Sequence, residues 1–178
     1  MLVNIPRFLD ETIRESVRAS VLQAAKIAIP LKDRILRQTI TDKLSRLQST
    51  GACEFCDLRN ADLRKIDLNS AGLRWANLSE TNLSGVNLSG MDLTGANLTG
   101  ANLTGANLTG ANLTGANLSG ANLTGADLIN ANLTFVNLTR ADLEKTDLTK
   151  ANLTRAYLSK AIFCDTTMSD GTINNSGC

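Results

Sequence analysis

The chain contains no histidine. That absence removes histidine-based catalytic triads and histidine-ligated metal centres from consideration. Aromatic residues make up only 3% of the 178 residues, and proline occurs twice. So few rings cannot fill a conventional globular core, where large aromatics usually dominate the buried area. No apolar run reaches the ~18 residues that a membrane-spanning helix needs. The opening MLVNIPRFLDE lacks the basic leader and apolar stretch of a secretory signal. A soluble, cytoplasmic protein is expected. No glycine-rich phosphate loop is present, and no constellation of residues supplies catalysis, a cofactor site or a metal site. The expectation is that the protein is not an enzyme and carries no cofactor.

Charge is nearly balanced, at +1 overall. Residues 1–50 hold nine Lys/Arg against five Asp/Glu (+4), and residues 51–178 hold nine against twelve (−3). Neither half has the bulk charge of a nucleic-acid binder, so DNA binding is not expected.

What the chain does have is a count of five. Leucine occupies every fifth position from Leu58 to Leu158, and Phe163 takes the next. The position two before each leucine holds Ala or another small or apolar residue, such as Cys56, Ile66, Val86, Met91 or Val136, or Thr81 and Thr146. The remaining positions are mostly Asn, Asp, Thr, Ser, Gly, Lys and Arg. Two residues in five therefore seek burial, one residue apart.

A helix cannot satisfy this period, because a five-residue step of about 500° spreads the leucines over every face. A long plain strand fails as well, since its period of two drifts against five. A short extended piece followed by a corner does fit. The leucine and the residue two before it then share one side, and four such sides close a coil of twenty. Successive coils stack at roughly 4.8 Å. The leucines Leu58, Leu78, Leu98, Leu118, Leu138 and Leu158, with Phe163, represent the expected core. Glycine fills the last position of nine consecutive units, Gly85 to Gly125, where corners call for positive φ. The fold class expected is an all-β solenoid of about five and a half coils over 51–165.

Units such as Ala61-Asp62-Leu63-Arg64-Lys65 and Ala96-Asn97-Leu98-Thr99-Gly100 resemble the A(D/N)LXX pattern of the pentapeptide-repeat family, over about 110 residues. The resemblance implies a right-handed quadrilateral β-helix, and it extends to cyanobacterial members. Some members act as DNA mimics against type II topoisomerases. That role calls for a sustained acidic surface, whereas the units from Thr94 to Gly125 carry no charge.

A solenoid must cover its open ends. Residues 1–50 are expected to supply an N-terminal α-helical cap of two amphipathic helices. Leu9, Ile13, Val17, Val21, Ala24 and Ala28 mark the first, and Pro30 breaks it. Leu31, Ile35, Leu36, Ile40, Leu44 and Leu47 mark the second, which Gly51 ends. Its polar face bears Lys32, Arg34, Arg37, Lys43 and Arg46. A partner-binding surface, a dimer contact and an anionic membrane surface compete with the capping role. Residues 166–178 leave the period and read as a tail that can fold over the last coil.

The four cysteines fall into two pairs at opposite ends of the tower. Cys53 and Cys56 occupy leucine-like and alanine-like positions. They can be buried small hydrophobes or a local disulfide. Cys164 can pair with Cys178 if the tail folds back. Asp127 and Asp147 stand one coil apart and read as a solvated ladder. Phe135 and Arg155 are twenty residues apart, hence stacked outside, where a cation–π contact can form. Trp75, also outward, is the isolated candidate for a contact residue or for shielding the cap.

The functional expectation is a structural or protein-interaction scaffold, monomeric or an end-to-end dimer, with a protein partner. A DNA-mimic modulator of a type II topoisomerase is the alternative. An ordered-surface role through stacked Thr94/Thr114 and Thr104/Thr124, or a membrane-associated one, comes behind these.

Overall fold

A computed structural model of the chain describes Ser45, Leu47, residues 51–68 and residues 71–178. These belong to the second of two units, Asp42–Cys178. The two expected amphipathic helices, and with them the N-terminal cap, lie outside the described residues apart from Ser45 and Leu47, which are helical. Gly51 adopts φ 66° and donates its N–H to the Leu47 carbonyl at 2.8 Å. This is the left-handed ending that glycine gives a helix. The Gly51 carbonyl in turn accepts from the Gly72 N–H at 2.7 Å, which ties Gly51 to the coil above it.

From there the backbone forms a square tower. Parallel bridges join most of the Asn/Asp positions to the one twenty residues on, from Ala52↔Gly72 and Asp57↔Asn77 up to Asp147↔Thr167, and without a break from Asn77 upward. Each coil thus has four five-residue sides. Each side is a three-residue extended piece and a two-residue corner, too short to register as a named strand. At each corner the N–H that opens one side donates to the leucine carbonyl three residues earlier, as from Ala101 to Leu98 at 3.0 Å. Apart from Lys65, the described corner residues have positive φ and the residues before them do not, which is the signature of a type II turn. Glycine fits without cost, but Trp75, Phe135, Arg140, Lys145, Lys150, Arg155 and Lys160 take the same conformation at φ 55–61°.

The Asn/Asp that precedes each leucine has a structural job. Its Oδ1 accepts the backbone N–H two residues on, as from Thr99 to Asn97 at 3.2 Å, and frequently that residue's hydroxyl too, at 2.6 Å for the same pair. This Asx-turn holds the chain in its bend before the corner. The recurrent Asn-Leu-Thr triplet therefore closes one side-chain ring per repeat.

Leucines and alanines fill the interior. Leu58, Leu78, Leu98 and Leu118 are fully buried, Leu138 is 1% exposed and Phe163 8% exposed. Thr81, Thr146 and Thr166 take alanine positions and stay buried. Their hydroxyls donate to the carbonyls of Leu78, Leu123 and Leu143 at 2.6, 2.8 and 2.7 Å. Each uses the second lone pair of an oxygen already engaged in a corner.

Leu158 departs from the expected core, being only partly buried, as is Leu153. No coil lies above this side. The backbone N–H groups of Leu153, Arg155, Leu158 and Lys160, which elsewhere donate to the next coil, have no partner among the described residues. The tail covers another part of the end. Thr167 still bridges Asp147, after which β1 (Thr166–Thr167) pairs antiparallel with β2 (Ile173–Asn174). Gly177 donates to the Phe163 carbonyl at 2.7 Å, and Cys178 is joined to Cys164.

Candidate functional site

Because corners stack at intervals of twenty, each edge of the tower is a column of side chains. One edge carries Phe55, Trp75, Gly95, Gly115, Phe135 and Arg155, all at positive φ. Phe55 is 72%, Trp75 51% and Phe135 45% exposed. The Trp75 ring lies against Gly95, where a Cβ would overlap ring carbons. Beside it, Arg74 meets Asp92 at 3.6 Å. Further up, the Arg155 guanidinium carbon stands 5.3 Å from the centroid of the Phe135 ring. The structure thus sets the candidate contact residues Trp75, Phe135 and Arg155 on a single edge. A twenty-residue sum applied to Trp75 would have shown its relation to Gly95.

The next edge carries Asn60, Glu80, Gly100, Gly120, Arg140 and Lys160. The side between these edges bears a groove of about 500 Å³ whose lining includes Ser119, Asn137, Thr139, Arg140, Ser159 and Lys160. Sequence reading did not single out Arg140 or Lys160. The signal was available, because the corner positions Arg140, Lys145, Lys150, Arg155 and Lys160 are five consecutive cations.

At the lower end the charges are paired locally. Arg59 meets Asp57 at 2.8 Å and Arg64 meets Asp62 at 2.7 Å. Hydrogen bonds from the Arg64 side chain and backbone lower the Asp62 carboxyl to about 2. Thr94 and Thr172 hydroxyls likewise hold Asp92 and Asp170 below the ordinary carboxylate range. Asp127 and Asp147 face the same way one coil apart, and each accepts the N–H of its own turn, from Ile129 and Thr149 at 3.0 and 2.8 Å. Both carboxylates are thus engaged in Asx-turns.

Cys53 is joined to Cys56, and no cysteine is free among the described residues. Cys53 is buried while Cys56 is half-buried at the start of the tower. No group of three potential metal ligands occurs among the described residues. No helix among them is long and apolar enough to cross a membrane.

The pentapeptide-repeat family model, in eight copies, matches residues 53–85, 71–110, 106–144 and 131–170. The chain belongs to the pentapeptide-repeat family. With membership comes the right-handed β-helix of its relatives. A solved pentapeptide-repeat protein, Rfr23 from the cyanobacterium Cyanothece 51142, is 32% identical. The match covers 73% of this chain and 97% of that one, with a TM-score of 0.53. AT2G44920, a pentapeptide-repeat protein from the Arabidopsis thaliana thylakoid lumen, is 29% identical over 57% of this chain and 71% of its own, with a TM-score of 0.54. None of the curated proteins compared with the chain matches it.

Proposed function

We propose that this pentapeptide-repeat tower is a non-enzymatic scaffold that presents fixed side chains to a protein partner. The observation that supports this most is the unbroken i↔i+20 bridging from Asn77 through Asp147, which locks outward residues into columns. A rigid display loses little side-chain or backbone freedom on binding, so its contacts convert to affinity efficiently. A DNA mimic needs a continuous acidic face. The basic corners from Arg140 to Lys160 oppose that role, and the central coils are neutral.

The test is affinity capture from native extract with the full chain and with a chain starting at Gly51. A partner retained by both belongs to the tower, and one lost by truncation belongs to residues 1–50. Failure of either bait to retain any protein would remove the scaffold reading. A gyrase supercoiling assay with purified protein separates the topoisomerase alternative, since inhibition at micromolar concentration would replace the scaffold reading.

The cytoplasmic setting expected from sequence would keep both cysteine pairs as thiols. Alkylation of native extract, followed by counting of modified cysteines, decides the compartment class. Four modified cysteines fit the cytoplasm, and none fits an oxidising space.

A further inference from the structure

The upper part of one side of the tower has a chemistry found on no other side. Between the two edges described above lie residues 116–120, 136–140 and 156–160, bounded by Phe135 and Arg155 on the first edge. This strip holds the cations Arg140 and Lys160, with Arg155 on its border, and contains no Asp or Glu. All three cations are exposed, and none has a carboxylate within salt-bridge distance among the described residues. By contrast, Arg59, Arg64, Arg74 and Lys145 each have one.

The hydroxyls follow the same division. Lower in this column, Ser79 and Thr99 donate to Asn77 and Asn97. Above them Ser119, Thr139 and Ser159 have no hydroxyl partner among the described residues, although Ser119 and Thr139 keep the backbone bond of their Asx-turns. These three hydroxyls, Arg140 and Lys160 line the groove of about 500 Å³. Space is left below Arg140 because Gly120 carries no side chain and nothing lies within 4 Å of the place a Cβ would take. Tyr157 stands in the middle of the strip, 62% exposed.

We propose that this strip binds a short acidic segment of a partner protein. Carboxylates match the paired cations and the free hydroxyl donors, and charge-assisted hydrogen bonds of this kind are the strong ones. Tyr157 and Phe135 offer ring surface to apolar residues between the carboxylates. A short segment fits better than a nucleic acid. The strip offers three cations over about two coils, and three phosphate contacts supply little affinity at physiological salt. A longer polyanion would run onto the adjoining side that carries Asp142, Glu144 and Asp165, within a tower whose net charge over 51–178 is −3 (nine Lys/Arg less twelve Asp/Glu). The proposal rests on the scaffold reading and names its surface.

The experiment uses the full chain and fluorescence anisotropy. The probes are a labelled peptide of alternating Asp and Leu and a labelled oligothymidine of the same length. The peptide is expected to bind, and more weakly as salt rises. The double variant R140E/K160E should weaken it by about tenfold or more. Tyr157→Ala should also weaken it, whereas Lys150→Glu on the diagonally opposite corner should not. Unchanged melting would show that the variants fold. If charge reversal unfolds the chain, R140Q/K160Q is measured instead, with the same expectation of weakening. Equal binding by parent and variant, tighter binding of the oligothymidine, or no peptide binding at all would overturn the assignment. Capture distinguishes the two levels, because a partner still retained by R140E/K160E preserves the scaffold and removes this surface.

Discussion

The indole of Trp75 lies on the α-carbon of Gly95, one coil along the same edge. A ring can rest there only because the residue twenty on has no side chain. Gly95→Ala would put a methyl into ring carbons and force an L-residue to φ +65°. Gly115→Ala imposes a similar φ of +67° on open space. The left-handed conformation alone costs about 1–2 kcal/mol. Gly95→Ala should therefore destabilise more than Gly115→Ala in chemical denaturation. It should also shift the emission of Trp75, which is the only tryptophan in the chain. An unchanged emission spectrum would show that the ring does not rest on Gly95.

Leu108 and Thr109 are neighbours with opposite roles. Leu108 is fully buried, whereas Thr109 is half-buried and contributes a backbone N–H to Asn107 at 3.0 Å. Leu108→Ala should cost roughly 2–5 kcal/mol through the cavity it opens, and Thr109→Ala well under that. Leu158→Ala should cost less than Leu108→Ala, because no coil closes over Leu158. Equal losses at positions 108 and 109 in denaturant unfolding would contradict the inward phase.

How much of this was readable follows from the period. A step of five with two apolar positions specifies a coil of four sides, and Leu58 to Leu138 fall inside as that geometry requires. The step assumes a coil above and below, so it carries no information at the end, and Leu158 departs there. The Asx-turns were legible in the recurrent placing of Asn or Asp, with Gly72 and Tyr157 as exceptions, but look like mere polarity until the bond from Thr99 to Asn97 is seen. The hairpin of Thr166–Thr167 with Ile173–Asn174 breaks the period, so nothing in the count pointed to it. The groove depends on cations adjacent in space through a twenty-residue sum, and sequence inspection along the chain separates Arg140 from Lys160.

Corners occupied by residues other than glycine store strain that can be removed. Lys150 sits at φ 58° and makes no ion pair with a described residue. Lys150→Gly relieves ~1–2 kcal/mol of left-handed strain and forfeits ~0.5–1 kcal/mol to the greater freedom of unfolded glycine. A gain of up to about 1.5 kcal/mol is expected in the same denaturation measurement. A loss would mean that the lysine stem covers apolar surface.

The Asp62 carboxyl is held at about 2 by its hydrogen bonds to Arg64. A depressed native value adds stability above the unfolded carboxylate pKa, near 3.9. That contribution disappears as pH falls from about 4 through about 2. Both side chains are exposed, so the effect on stability is small. The titration itself is the measurement. Carbon-detected NMR should find the Asp62 midpoint below that of an ordinary aspartate, and Arg64→Ala should raise it. An Asp62 midpoint unmoved by Arg64→Ala would exclude the pairing in solution.

The two cysteine pairs enclose loops of different length and should differ in consequence. Cys53–Cys56 spans a separation of 3 residues and Cys164–Cys178 one of 14. Closing the longer loop restricts the unfolded chain more, by about 3 kcal/mol on the chain-entropy estimate against about 2 kcal/mol for the shorter. The longer link also ties down the tail, whose other fastenings are the short pairing of β1 with β2 and the Gly177 bond to Phe163. Cys178→Ser should therefore raise hydrogen exchange at Ile173 and Gly177 and expose Phe163, with the coils below Leu148 unaffected. Cys56→Ser should act only on the first coil. If Cys178→Ser instead speeds exchange throughout the tower, the tail is part of the cooperative core and its linkage bears on every coil beneath it.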